Sequence, residues 1–196
     1  MSSIDLKTTK RKQEMDAVNV IRRLHQHRAW VNGNLLDAAA QLSDEQSRVA
    51  YPIGQGSIWK SLVHLYAAEY VWLESLLGDE KPVAPGDLPG MIPGNQQGAS
   101  PITSLEELRQ QWTTLTQRWV DYLNSDSLNA DTLEDLVPKV LSATLVRFVT
   151  RRSDILLHVC THSQYTTAQI MNMLRQAGMT PLPDVMLISL ARLDNA

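Results

Sequence analysis

The sequence predicts an all-α protein, an antiparallel four-helix bundle, and three observations point to it. Apolar residues recur at helical spacing over three long segments. A fourth segment, residues 155–174, carries no charged side chain. Strand-like composition is confined to one short stretch, enough for a hairpin inserted before the last long helix and no more. Such elements pack as a bundle, in which sites are built from inward side chains of facing helices. The 196 residues are expected to form a single domain, 1–196, with a core at about 13–178, a loop at 79–102 and a tail at 179–196.

The first helix is expected over residues 13–41, where Val18, Ile21, Leu24, Val31, Leu35 and Leu36 form an apolar face. Ser43-Asp44-Glu45 and then Tyr51-Pro52-Ile53-Gly54 break that pattern. A second helix opens near Ser57, runs to Leu77 and stops at Gly78. It is apolar almost all round, as a buried helix is. Pro and Gly then crowd a loop of a length that is often functional. Thr103 and Glu106 read as a capping box for the third helix, which carries Leu108, Trp112, Leu115, Trp119 and Leu123. Val137 to Leu141 and Leu145 to Val149 are the two arms of the expected hairpin.

The fourth helix is the uncharged segment. Ser153 can act as its N-cap, Asp154 complements the positive end of its dipole, Arg175 lies in its last turn and Gly178 offers a left-handed stop before Pro181. A surface helix would show Lys or Glu on its outer side. Here His158, His162, Tyr165, Thr166, Gln169 and Asn172 share one stripe, with apolar residues around the rest. That pattern predicts an interior helix whose polar stripe faces a protein-lined cavity. The tail, 185–193, is apolar and should dock on the bundle.

With 43% hydrophobic and 20% charged residues, the chain is neither disordered nor membrane-spanning in composition. The uncharged segment is long enough to cross a bilayer, but its Ser, Thr, Gln, Asn and His content is wrong for lipid. The first residues lack the apolar core of a signal peptide, and a single cysteine rules out a disulfide framework. A cytoplasmic location is expected. A net charge of −3 with mixed signs argues against a nucleic-acid partner.

His158 and His162, one turn apart, are spaced to chelate one metal ion. Zinc or nickel would need a further ligand from a neighbouring helix, for which His64 in the second helix is the natural candidate. The alternative is that both are core histidines bonded to carbonyls or hydroxyls. His25 and His27 are expected at the surface. Glu69 sits on an apolar stripe, so its carboxylate needs a partner: a metal-bound imidazole, or an Arg or Trp of another helix. Arg147, Arg151 and Arg152 oppose the dipole of the last helix, which an anionic ligand or acidic side chains such as Asp154 would offset. Cys160 reads as an inert packed thiol. No nucleophilic triad, phosphate loop or dinucleotide fingerprint is present.

Three stretches together, LVHLYAAEYVWL, LLHVCTHSQYTTAQIMNML and WVNGNLLDAAAQLSDEQ, resemble the DinB-like superfamily, the bundle shared with bacterial thiol-dependent transferases. The resemblance covers roughly residues 18–178. It implies a four-helix bundle holding a divalent metal, often zinc or nickel, on three histidines, one from the second helix and two from the last. By position His64 and His162 match two of them. The third position holds Thr166, a poor zinc ligand, and His158 stands one turn to the other side as a substitute. The metal set implied is therefore His64, His158 and His162. Tyr165, Thr166 and Gln169 would contact the ligand.

The activity implied is metal-dependent transfer of a low-molecular-weight thiol to an electrophile. The alternative is a non-catalytic, metal-free bundle with a small-molecule-binding or stress-associated role. A small-molecule ligand and a homodimer are the expected partners, with neither nucleic acid nor membrane among them.

Overall fold

In a computed structural model of the chain, residues 16–140, 144 and 146–194 are described. Helix α1 (Ala17–Ala39) is followed by a short α2 (Asp44–Arg48), α3 (Ile58–Leu76), α4 (Leu105–Asn124) and a 3-10 turn (Asp131–Glu134). Strands β1 (Leu136–Val140) and β2 (Arg147–Arg151) form an antiparallel hairpin, and α5 (Arg152–Gln176) and α6 (Leu187–Leu193) complete the chain. Residues 13–15 of the expected first helix, and Leu141 and Leu145 of the expected hairpin, lie outside the described residues.

The four long helices form a ring in which α1 packs on α4 and α5, and α3 packs on the same two. Helices α1 and α3 therefore face each other across the centre, although they are consecutive long helices. The α1-to-α3 connection contains α2, and the α4-to-α5 connection contains the hairpin. The centre is filled by Leu35, Leu65, Leu73, Trp112, Leu115, Leu156 and Ile170. No described helix is long and apolar enough to cross a membrane.

Caps explain where the helices begin. Ser57 Oγ accepts from Lys60 N and Ser104 Oγ from Glu107 N, while Gly78 and Gly178, with positive φ, follow the ends of α3 and α5. Three local expectations are corrected. The third helix is capped by Ser104, not Thr103. Glu107, rather than Glu106, reaches back, to the Thr103 N–H. Ser43 to Arg48 is not merely a break: Ser43 and Gln46 form a reciprocal capping box that starts α2. Ser153 does not cap α5, because β2 runs straight into the helix and Arg152 N donates to the Asp135 carbonyl.

The tail docks as expected, Val185 packing against the core along with Met179 and Leu182, and polar contacts add to this. Val185 O lies 3.0 Å from His27 Nε2, Asn34 donates to Asp184 O, and Arg23 pairs with Asp194. No residue of α6 is buried.

Candidate functional site

The site begins with the loop over residues 79–101. Asp87 organises it, its carboxylate accepting from Gly94 N, Gln96 N and Gln96 Nε2 at 2.6–2.9 Å. That anchors the Pro93-Gly94 corner against α3 at His64. Gly94 has φ +85°, and a Cβ there would stand 2.5 Å from His64 Cα, so the backbone can approach only because the position is glycine. The Pro93 carbonyl in turn accepts from His64 Nδ1 at 2.7 Å. With its proton on Nδ1, the neutral His64 ring presents Nε2 as a bare lone pair.

His162 of α5 meets that lone pair, with 3.3 Å between the two Nε2 atoms. Burial first, then the charges His64 and His158 would carry, push the His162 pKa down to about 4, so its ring is neutral near pH 7. Two nitrogens bound to one tetrahedral zinc at about 2.0–2.1 Å stand about 3.3 Å apart. A proton on His162 Nε2 would make the same contact a hydrogen bond. Metal binding needs deprotonated nitrogens on both rings, and for His162 burial favours that state.

His158 lies one turn earlier, its ring centroid 5.6 Å from that of His162 and 5.2 Å from that of Trp72. It lines the same cavity, of about 240 Å³, together with Trp72 and the Met91-Ile92-Pro93 stretch of the loop. Among the described residues, no three His, Cys, Asp or Glu side chains come together as a metal-ligand group. His64 and His162 thus have the spacing of two ligands, and His158 stands beside them without completing the set. A larger hollow of about 420 Å³ also borders the loop, against Arg48, Trp59 and Lys60, with no histidine among the described residues of its wall.

The expectation of a continuous inward stripe on the last helix needs correction. Tyr165 is 69% exposed and turned to solvent. Thr166 is buried in the bundle, and Gln169 packs beneath the Gly54 turn. None of the three lines the cavity. The cavity wall takes only the turn bearing His158 and His162. Beyond it the helical repeat carries successive polar residues to different surroundings.

His25 and His27, expected at the surface, are buried. His25 Nε2 lies 3.1 Å from the Leu156 carbonyl, and its ring packs 4.9 Å from that of Trp119. Glu69 is 2% exposed and fully engaged by other helices: Asn32 and Trp112 donate to it at 2.7 and 3.1 Å, and Arg28 forms an ion pair with it. Its partners are the Arg and Trp of the structural alternative, and no imidazole is among them. The three arginines find acids: Arg147 with Glu80, Arg151 with Glu134 and Asp154, Arg152 with Asp135. Burial pushes the Cys160 thiol up to about 12, consistent with an inert packed group.

One residue of the cavity wall was missed from the sequence. Lys139 of β1 is 7% exposed, its Nζ 2.8 Å from Ser75 Oγ and 4.8 Å over the Trp72 ring. The available signal was strand alternation, which puts Lys139 on the same inward face as Val137.

The profile of the DinB family matches residues 12–189. The chain belongs to the DinB family. No curated protein sequence matches it. Among solved structures this DinB-family chain is similar to YfiT from Bacillus subtilis, described as a probable metal-dependent hydrolase with an unusual four-helix bundle topology. The two are 17% identical, with a TM-score of 0.60 over 87% of this chain and 94% of that one. Likeness at that identity speaks for the fold alone, and the α1–α4–α3–α5 ring is this chain's form of it.

Proposed function

We propose that this DinB-family chain is a metal-dependent enzyme that joins a low-molecular-weight thiol to an electrophile, with zinc or nickel held by His64, His162 and His158. The observation that carries the reading is the 3.3 Å approach of His64 Nε2 to His162 Nε2 from two helices. Pro93 fixes the His64 tautomer, burial keeps His162 neutral, and Met91, Ile92 and Pro93 of the loop wall the cavity the two rings share. When bound, the ion would lower the pKa of a ligated thiol enough to leave it as thiolate at neutral pH. Among the described residues, no Asp or Glu lines the cavity. Water as well as a thiol would be activated by a bound metal, but the wall offers no carboxylate to take the water proton, a help that a metal-bound thiolate does not need. The apolar wall of Trp72, Met91 and Ile92 also suits a thiol-bearing organic molecule.

The test is elemental analysis of protein purified without chelator, followed by cobalt exchange and addition of a small thiol. The reading expects near-stoichiometric metal, its loss in His64→Ala and His162→Ala, and a thiolate-to-cobalt absorption band. Metal without that band, together with ester or amide hydrolysis, would move the reaction to hydrolysis. Absence of metal in the folded wild type would favour the non-catalytic reading, for which Thr166 and the incomplete ligand group speak.

A further inference from the structure

The cavity has a second chemical pole that the histidines do not explain. Lys139 brings its ammonium into the wall from β1, and among the described residues no carboxylate forms an ion pair with it, Asp79 acting only at longer range. Ser75 donates its own hydroxyl proton to the Val71 carbonyl at 2.8 Å, which leaves a lone pair of Oγ to accept from Lys139 at 2.8 Å. A longer contact of 3.4 Å reaches the Val71 carbonyl. The ammonium is therefore held by fixed neutral partners, Ser75 Oγ, the more distant Val71 carbonyl and the Trp72 face, and only the weaker of these contacts leave an N–H to redirect to a ligand. Burial lowers its pKa to about 8, with Asp79 offsetting part of the effect, so it remains largely charged at neutral pH. A cation taken out of water calls for an anion. Among the described residues, Arg147, Arg151 and Arg152 are each in direct ion pairs, whereas Lys139 has only the longer-range influence of Asp79.

We propose that Lys139 binds the carboxylate of a small organic substrate whose reacting end lies at the histidines. The proposal rests on the reading of this cavity as the active site and adds the class of molecule it accepts. One ammonium with little spare donor capacity suits a single carboxylate. A phosphate, with more oxygens and more charge, is usually met by several donors. Trp72 stands against both poles, 4.8 Å from Lys139 Nζ and 5.2 Å from the His158 ring, and with Val71 and Ile92 in the same wall it suits an apolar body, which about 240 Å³ limits to a small molecule.

The probes are phenylacetate and its neutral isostere phenylacetamide, titrated calorimetrically at pH 7 into the full-length protein, both as purified and after chelator treatment. Phenylacetate should bind at least about tenfold more tightly than the amide in both preparations, the order expected for a charge-assisted hydrogen bond in a desolvated site. Lys139→Met, which keeps length and apolar packing, should abolish the preference without lowering the unfolding temperature. Lys139→Arg should retain part of it, and His162→Ala should leave it intact. Equal binding of the two probes, no binding of either, or a preference that survives Lys139→Met overturns the proposal. A preference confined to the untreated protein also overturns it, because the carboxylate would then be held at the histidine pole. The metal reading is judged separately by the ion content of His162→Ala, so either idea can fail alone.

Discussion

The Pro93 carbonyl stands 2.7 Å from Nδ1 of His64, and this contact decides which edge of the imidazole is chemically available. A ring nitrogen that donates to a backbone carbonyl leaves its opposite nitrogen unprotonated in the neutral form. The loop therefore does more than cover the cavity: it sets the tautomer of a residue on another element. That role depends on the tight approach of Gly94 to the His64 backbone.

Gly94→Ala should consequently damage the site without touching a side chain in it. The added methyl meets the α3 backbone at 2.5 Å, and alanine pays for the positive φ as well. The expected loss is about 1–3 kcal/mol of local stability. It should appear as faster amide exchange in the loop and weaker cobalt binding, with the global unfolding temperature little changed. Unaltered exchange and cobalt affinity would show that the loop does not position His64.

Glu69 offers the opposite case, a buried carboxylate that belongs to the framework. Glu69→Gln leaves Arg28 buried without its counter-charge and should cost about 3–5 kcal/mol in denaturant unfolding, the range for breaking a buried pair. Removing both charges, as Glu69→Leu with Arg28→Met, should recover most of that loss. Metal content per folded chain should not change in either variant. A selective loss of metal would instead tie Glu69 to the histidine pair.

The buried histidines fix the sign of a pH effect. Burial, reinforced by Arg28 and opposed by the Leu156 carbonyl, holds the His25 pKa well below its ordinary value of 6.5. In the unfolded chain His25 takes up a proton near pH 6.5, whereas the native protein resists it. The unfolded state then binds more protons, so stability is full above about pH 6.5 and declines as pH falls below it. His27 and His162 shift in the same direction. His25→Phe should flatten the decline between pH 7 and pH 5 by up to one proton equivalent. An unchanged slope in urea titrations would mean that His25 is protonated in the native state.

The fold was legible where periodicity and caps agreed, as in α3 with Ser57 ahead of it and Gly78 behind. The meeting of His64 and His162 was legible because helical spacing and the family pattern chose the same residues. Other features were hidden for separate physical reasons. Ile21, His25, Arg28 and Asn32 continue one helical face of α1 into the centre, but three of the four are polar, so the stripe reads as solvated. Their burial depends on Trp119, Glu69 and Leu156 from three other helices, which no local pattern reveals. Lys139 was hidden by the shortness of β1, and Tyr165 was misplaced because chemical similarity along a stripe does not fix what covers each turn.

His64 and His162 are separated by 98 positions, on helices that pack directly against each other. Any ligand gripping both rings ties together two distant parts of the chain, a constraint the unfolded polymer can satisfy only at a large entropic cost. Occupancy would therefore register as resistance of the whole bundle to melting, and the ligand's concentration would set that resistance.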